Sequence, residues 1–228
     1  MLEIYNRTMR RAAPTQEIEI KLRVPDAFAL RLRLKQLRAK QIVPRTFESN
    51  TLYDTPKEDL RRRGQLIRMR IEQLSSKRPK SGVNRTATAI LTYKGPTHGS
   101  PTMKKGAKKR NGRYKIREEA EVTVDGGEQL IRILRALGLN PMFQYEKFRT
   151  TYTLPGIPHV KVEFDETPIG LFLELEGTVS AIDRAARSLG YFRTDYISKS
   201  YGALYIADCR KRRMKSTDML FPTTKSLS

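Results

Sequence analysis

Across residues 16–25, QEIEIKLRVP, apolar and charged positions alternate with a period of two. Ile18, Ile20 and Leu22 fall to one side and Glu17, Glu19 and Lys21 to the other, as in a β-strand with two unlike faces. DAFALRLRLKQLRAK follows with apolar residues at helical spacing, and Asp26 is its expected N-cap, predicting a helix to about Lys40. Strands are expected at TFESNTLYDT, QLIRMRIEQ, TATAILTYKG, YKIREEAEVTVD, FQYEKFRTTYTL, HVKVEFDE and GLFLELEGT. GGEQLIRILRALGLN reads as a helix ending at Gly138, and VSAIDRAARSLG and DYISKSYGALYIADCRK as two more. PGIP and TPIG are turn chemistry. No internal repeat or domain boundary stands out. About eight strands with few helices predict an α+β fold built on a closed eight-stranded antiparallel β-barrel, with helices packed outside.

The charged faces then matter more than the apolar ones. Alternation puts Arg68, Arg70 and Glu72 on one side of their strand, and Lys115, Arg117, Glu119 and Glu121 together on another. It gives Lys147 and Arg149, then Lys161, Glu163 and Asp165, then Glu174 and Glu176, while Val160, Val162, Phe164, Leu171, Leu173 and Leu175 hold the opposite parity. One such strand is an ordinary half-solvated strand. Six of them, nearly all charge and of both signs, fit a barrel whose charged face points inward. Burying those charges is costly unless they are paired or bind ions. Cations and carboxylates together suit an oligophosphate chelated to a divalent metal: Arg and Lys take phosphate oxygens, Glu and Asp supply hard oxygen ligands.

Composition adds boundaries. The 228 residues suffice for one large domain, with 38% hydrophobic and 30% charged residues, and no apolar run is long enough to span a membrane. A single cysteine, Cys209, excludes an internal disulfide and predicts a cytoplasmic protein. The net charge of +21 is concentrated: residues 73–116 hold 12 Lys and Arg and, before Glu118, no acid. These basic loops, about 75–85 and 95–113, and the CRKRRMK cluster near the C-terminus read as solvated loops and tail with weak polyanion affinity, since neither has the aromatic spacing of a base-stacking surface. Residues 1–14 are expected to be a flexible N-terminus, 15–206 the barrel domain and 207–228 a basic tail. There is no Gly-rich phosphate loop. His98, His159 and Cys209 cannot form a usual zinc site. Tyr53, Tyr114, Tyr145 and Tyr201 receive no role.

The ordered charges carry a resemblance. Glu17-x-Glu19-x-Lys21 is followed by LYDTP at 52–56, Arg68-x-Arg70, LTYKG with Lys94, Arg117-x-Glu119-x-Glu121, Lys147-x-Arg149, Asp165, Glu174-x-Glu176 and SKSY with Lys199. This set, over residues 15–206, resembles the CYTH superfamily, or triphosphate tunnel metalloenzymes, and its closing pattern is most similar to the class IV adenylyl cyclase-like branch. The resemblance implies a tunnel barrel with a C-terminal helix near one end. It also implies magnesium or manganese, and an enzyme that is either a triphosphatase or a cyclase making cyclic AMP and pyrophosphate from ATP. Glu17, Glu19, Glu163, Glu174 and Glu176 would then be metal ligands. Lys21, Arg68, Arg70, Lys94, Lys115, Arg117, Lys147 and Arg149 would bind triphosphate, and Glu119, Glu121, Asp165 and Lys199 would be catalytic. Residues 1–16 hold no His-Phe pair of the kind some cyclases of this branch carry, which points away from cyclisation. The expected partner is a small triphosphate or nucleotide, with no membrane and with a monomer or homodimer equally open. A non-catalytic polyphosphate- or RNA-binding protein is the alternative, though such a binder gains nothing from inward carboxylates.

Overall fold

The structure, a computed structural model, describes residues 15–74, 89–97 and 113–222. The N-terminal segment, the first basic loop and most of the second, with His98, lie outside them.

Eight strands close in the order β1-β5-β4-β3-β2-β6-β7-β8, every neighbouring pair antiparallel. They are β1 (Thr15–Val24), β2 (Lys40–Asp54), β3 (Leu66–Leu74), β4 (Ala89–Lys94), β5 (Lys115–Val124), β6 (Asn140–Leu154), β7 (Ile157–Thr167) and β8 (Gly170–Gly177). The helices are α1 (Ala27–Gln36), the single turn α2 (Asp59–Arg62), α3 (Gly127–Ala136), α4 (Val179–Ser188) and α5 (Tyr201–Lys211). The expected α+β barrel is what the chain forms.

A repeat that the sequence hides is present at the level of elements. β1-α1-β2 and β5-α3-β6 are both strand, helix and strand of 10, 10 and 15 residues. The two long strands, β2 and β6, pair with each other.

The apolar faces of the strands point outward, and helices cover them. Ile20, Leu22, Val24, Val160, Val162, Phe164, Leu173 and Leu175 form one core with Leu30 and Leu34 of α1 and Ala181, Ile182 and Ala185 of α4. A smaller core sets Met69, Ile71 and Ala89 against Leu130 and Leu134 of α3. Side-chain caps fix the helix starts: Asp26 accepts from the Phe28 N–H at 2.7 Å, and Thr178 from the Ala181 N–H at 3.3 Å. Gly177 ends β8 at φ +155°, where a Cβ would lie 2.0 Å from the His159 carbonyl oxygen, so only glycine lets α4 start there.

The last helix starts later than the pattern predicts. Arg193–Asp195 form a 3-10 turn, Ile197 exchanges two backbone hydrogen bonds of 2.9 Å with Lys21, and α5 begins at Tyr201 under a Ser200 cap. The reason is an open edge: β5 pairs with β1 only as far as Glu19, so the Lys21 backbone needs another partner. The remainder, expected as a basic tail, carries α5 to Lys211 and then returns against β6, where Met219 is buried.

Candidate functional site

Inward positions line a cavity of about 1070 Å³. β1 contributes Glu17, Glu19 and Lys21, and β3 Arg68 and Arg70. Lys94 comes from β4, and Lys115, Arg117, Glu119 and Glu121 from β5. β6 adds Lys147 and Arg149, β7 Lys161 and Glu163, and β8 Glu174 and Glu176. Period-two alternation on seven antiparallel strands is sufficient to bring them together, because registered neighbours share a face.

Their pairing is uneven. Lys21 Nζ lies 3.1 Å from Glu19 and 2.7 Å from Glu174. Arg149 is enclosed by carboxylates: it bonds Glu163, Glu174 and Asp165, with Glu48 at 3.6 Å. Lys147 lies 3.0 Å from Asp165 and 3.4 Å from Glu48. Lys94 bonds both Glu17 oxygens at 2.7 Å, and Lys115 bonds Glu19. Arg117, by contrast, donates to the Thr97 hydroxyl at 3.0 Å and has no carboxylate within ion-pair distance among the described residues. Arg68 reaches Glu121 only at 3.6 Å, and its buried Nε donates to nothing among the described residues.

Titration follows the same unevenness. Burial, reinforced by Glu19, pushes the Glu17 carboxyl up to about 7 against the pull of Lys94. Burial with Glu174 and Asp165 nearby raises Glu163 to about 7 despite Arg149. In Glu19 and Glu174 burial is overcome by the adjacent cations, Lys115 and Lys21 first in each case, and both are held well below the usual carboxylate range. Burial pulls Lys115 and Arg117 down even though carboxylates oppose it. The cavity therefore holds carboxylates and cations whose charged forms burial disfavours, facing the same space.

Two expected site residues lie elsewhere. Lys199 is exposed and does not line the cavity; the turn before α5 projects it outward, and Tyr201, two residues later, enters the barrel instead. Asp165 is fully buried and also does not line the cavity. It accepts from Lys147 at 3.0 Å, from Arg149 Nε and Nη2 at 2.7 and 2.6 Å, and from the Tyr201 hydroxyl at 2.6 Å. A carboxylate so fully engaged positions those three side chains and is not placed to take a proton from a substrate.

Other residues were missed. β2 carries Glu48 and Asn50 inward, both fully buried, with Asn50 Oδ1 accepting from Arg70 at 3.1 Å. The parity Thr46, Glu48, Asn50, Leu52, Asp54 was available, but one charge among neutral polar groups made a weak pattern. Asp54 of the LYDTP stretch accepts from the Leu60 and Arg61 N–H groups at 2.9 Å, capping α2. Tyr145 and Tyr201 face the cavity. Burial would raise the Tyr145 phenol, but Arg68, Lys147 and Arg70 outweigh it and lower its pKa. Tyr53 packs in the α3 core and Tyr114 bonds Asp183 outside the barrel.

Among the described residues no three acidic, His or Cys side chains already converge at metal-ligating spacing. The donor chemistry nonetheless fits a hard divalent cation. Glu19 faces Glu176 across β1 and β8, and Glu163 faces Glu174 across β7 and β8. Like charges so opposed repel unless a cation lies between them, and burial raises Glu17 and Glu163 although Lys94 and Arg149 pair with them.

Comparison with known proteins agrees with this architecture. The CYTH domain model matches residues 15–201. A candidate adenylate cyclase of Methanocaldococcus jannaschii, MJ0240, is 26% identical over 174 residues, 76% of this chain and 83% of the relative. Among solved structures, a candidate adenylate cyclase from Vibrio parahaemolyticus superposes with a TM-score of 0.64 at 17% identity, covering 84% of this chain and 98% of that one. A Hippeastrum protein described as a candidate adenylyl cyclase with a dominant triphosphatase activity gives a TM-score of 0.54 at 18% identity, over 84% and 96%. At such identities the structures share the fold. Among the described residues no helix is long and apolar enough to cross a membrane.

Proposed function

The chain belongs to the CYTH domain family, and from that premise we propose that it is a divalent-metal-dependent phosphohydrolase acting on a triphosphate or nucleoside triphosphate held inside the barrel. The observation that carries the reading is that weakly paired arginines and facing pairs of carboxylates line one cavity. Arg117 has no carboxylate at ion-pair distance among the described residues and Arg68 reaches Glu121 only at 3.6 Å, while Glu19 faces Glu176 and Glu163 faces Glu174 across paired strands. A polyanion alone would relieve only the first, and a metal alone only the second. A metal-chelated triphosphate relieves both.

Glu17, Glu19, Glu174 and Glu176, with Glu163, are the residues that would hold magnesium or manganese, which when bound supplies Lewis-acid polarisation of phosphoryl oxygens. Arg68, Arg70, Lys94, Lys115 and Arg117 neutralise the triphosphate, and Lys21, Lys147 and Arg149, fixed in their ion pairs, add a fixed positive field. In hydrolysis a water oxygen bonds to the terminal phosphorus as the bond to the bridging oxygen breaks. Glu121, whose side chain is 44% exposed, or Glu119 at 18%, accepts the water proton. The electron pair stays on the departing phosphate oxygen, where the cations stabilise it.

Cyclisation is the second reading, favoured by the likeness to the archaeal candidate cyclase. There a ribose 3′-hydroxyl attacks the α-phosphorus and pyrophosphate leaves. Incubation with inorganic triphosphate, ATP and thiamine triphosphate in magnesium or manganese tests both. Orthophosphate is the expected product; cyclic AMP with pyrophosphate would replace hydrolysis by cyclisation, and no turnover of any substrate would remove both.

A further inference from the structure

The chain after α5 is built into the barrel wall. β7 pairs with β6 only from Phe148 onward, which leaves the edge of β6 before it open. The returning segment takes that edge. The Met219 N–H donates to the Gln144 carbonyl at 2.9 Å, the Glu146 N–H donates to the Met219 carbonyl at 3.0 Å, and the Gln144 N–H donates to Asp218 Oδ1 at 2.7 Å. Met219 is 1% exposed, packed with Tyr145, Phe172 and Tyr201, and Phe221 lies 5.3 Å from Phe148, ring to ring. This segment lies beyond residue 201, where the family match ends.

The same segment lines the cavity. Thr217 and Asp218 border it together with Ala203 and Ile206 of α5, and with Leu52 and Phe143 from the strands. Apolar and aromatic side chains thus join the charged lining, beside the polar Ser216 and Thr217. Asp218 Oδ2 accepts no hydrogen bond among the described residues.

We propose that residues 214–222 form a specificity wall: with α5 they make the subsite for the uncharged, heterocyclic part of an organic triphosphate, and Asp218 accepts a hydrogen bond from an N–H or O–H of that part. This rests on the triphosphate reading of the tunnel and adds which triphosphates it prefers. Leu52, Phe143, Ala203 and Ile206 beside the Asp218 carboxylate suit a planar ring carrying a donor, and a phosphate gains nothing next to Asp218.

The test is calorimetric binding of ATP and of inorganic triphosphate to the full chain, in wild type and in two variants that fill the subsite from different elements, Ala203→Trp and Thr217→Trp. Both sites are exposed, so bulk can be added without overpacking the core. Wild type is expected to bind ATP at least tenfold tighter than inorganic triphosphate, and each variant to bring that ratio to about one, with the inorganic ligand as internal reference. Inorganic triphosphate binding as tightly as ATP in wild type, or a ratio unchanged in both variants, would overturn the wall. Binding of neither ligand by wild type would instead overturn the triphosphate reading on which it stands.

Discussion

The Tyr201 hydroxyl donates to Asp165 Oδ2 at 2.6 Å, joining the first residue of α5 to the most buried carboxylate of the barrel. Lys21 and Lys147 lie over the same ring, at 5.0 and 5.4 Å from its centroid. One side chain thus anchors α5 to the barrel interior and steadies two inward cations.

Tyr201→Phe keeps the ring and removes the hydroxyl. The loss of one hydrogen bond to a charged acceptor should cost about 1.5–3 kcal/mol of stability, seen in denaturant unfolding. Asp165→Asn should cost more, about 3–5 kcal/mol, because Lys147 and Arg149 lose a buried counter-charge. An Asp165→Asn protein of wild-type stability would show that the remaining carboxylates suffice and that Asp165 does not organise the network.

Lys199→Ala provides the opposite test. The family resemblance makes this lysine a catalytic cation presented to the triphosphate, whose loss would weaken substrate affinity or turnover at least tenfold. Its exposed position outside the cavity predicts turnover within twofold of wild type and an unchanged melting temperature. A tenfold loss of kcat/KM would return it to the site.

These two residues mark where the sequence stopped being informative. Period-two alternation decides which side of a strand a residue takes, so Glu17, Arg70, Lys147 and Glu174 were legible as one inward set. It does not say whether an inward residue faces open space or is walled in by its neighbours, and so Asp165 looked like Glu163. Lys199 lies in a connection whose path is set by an open strand edge at Lys21, a tertiary fact with no local pattern. Met219 escaped for the same reason: a single strand-like contact within a basic stretch has no periodicity. Glu48 is the intermediate case, with the correct parity on a strand otherwise neutral.

The raised carboxylates give a pH signature. Glu17 and Glu163 ionise near 7 in the folded chain, against an ordinary value of 4.5. Between these values the folded state holds more protons than the unfolded one, so their contribution to stability falls as pH rises from about 4.5 to 7. Glu19 and Glu174, held low, act in the opposite sense and only as pH falls below 4.5. In chelator the melting temperature should therefore decline from pH 5 to pH 7.5, and magnesium or manganese should raise it more at pH 7.5 than at pH 5. A metal effect equal at both pH values would separate these carboxylates from the cation.

Glu17→Gln and Glu19→Gln should each lower turnover by about two to three orders of magnitude, as loss of a principal charge-stabilising group does. Circular dichroism should show the barrel intact. Wild-type rates in both variants would remove them from the site.

The central claim is that the tunnel takes triphosphate and divalent cation as one ligand, and the most direct measurement is the affinity for inorganic triphosphate by calorimetry with manganese and with chelator. Wild type should bind at least tenfold more tightly with manganese, and Glu17→Gln should lose that enhancement while keeping the chelator-level affinity. Equal affinity with and without manganese in wild type would contradict the account, leaving a purely cationic tunnel whose carboxylates serve only as ion-pair partners.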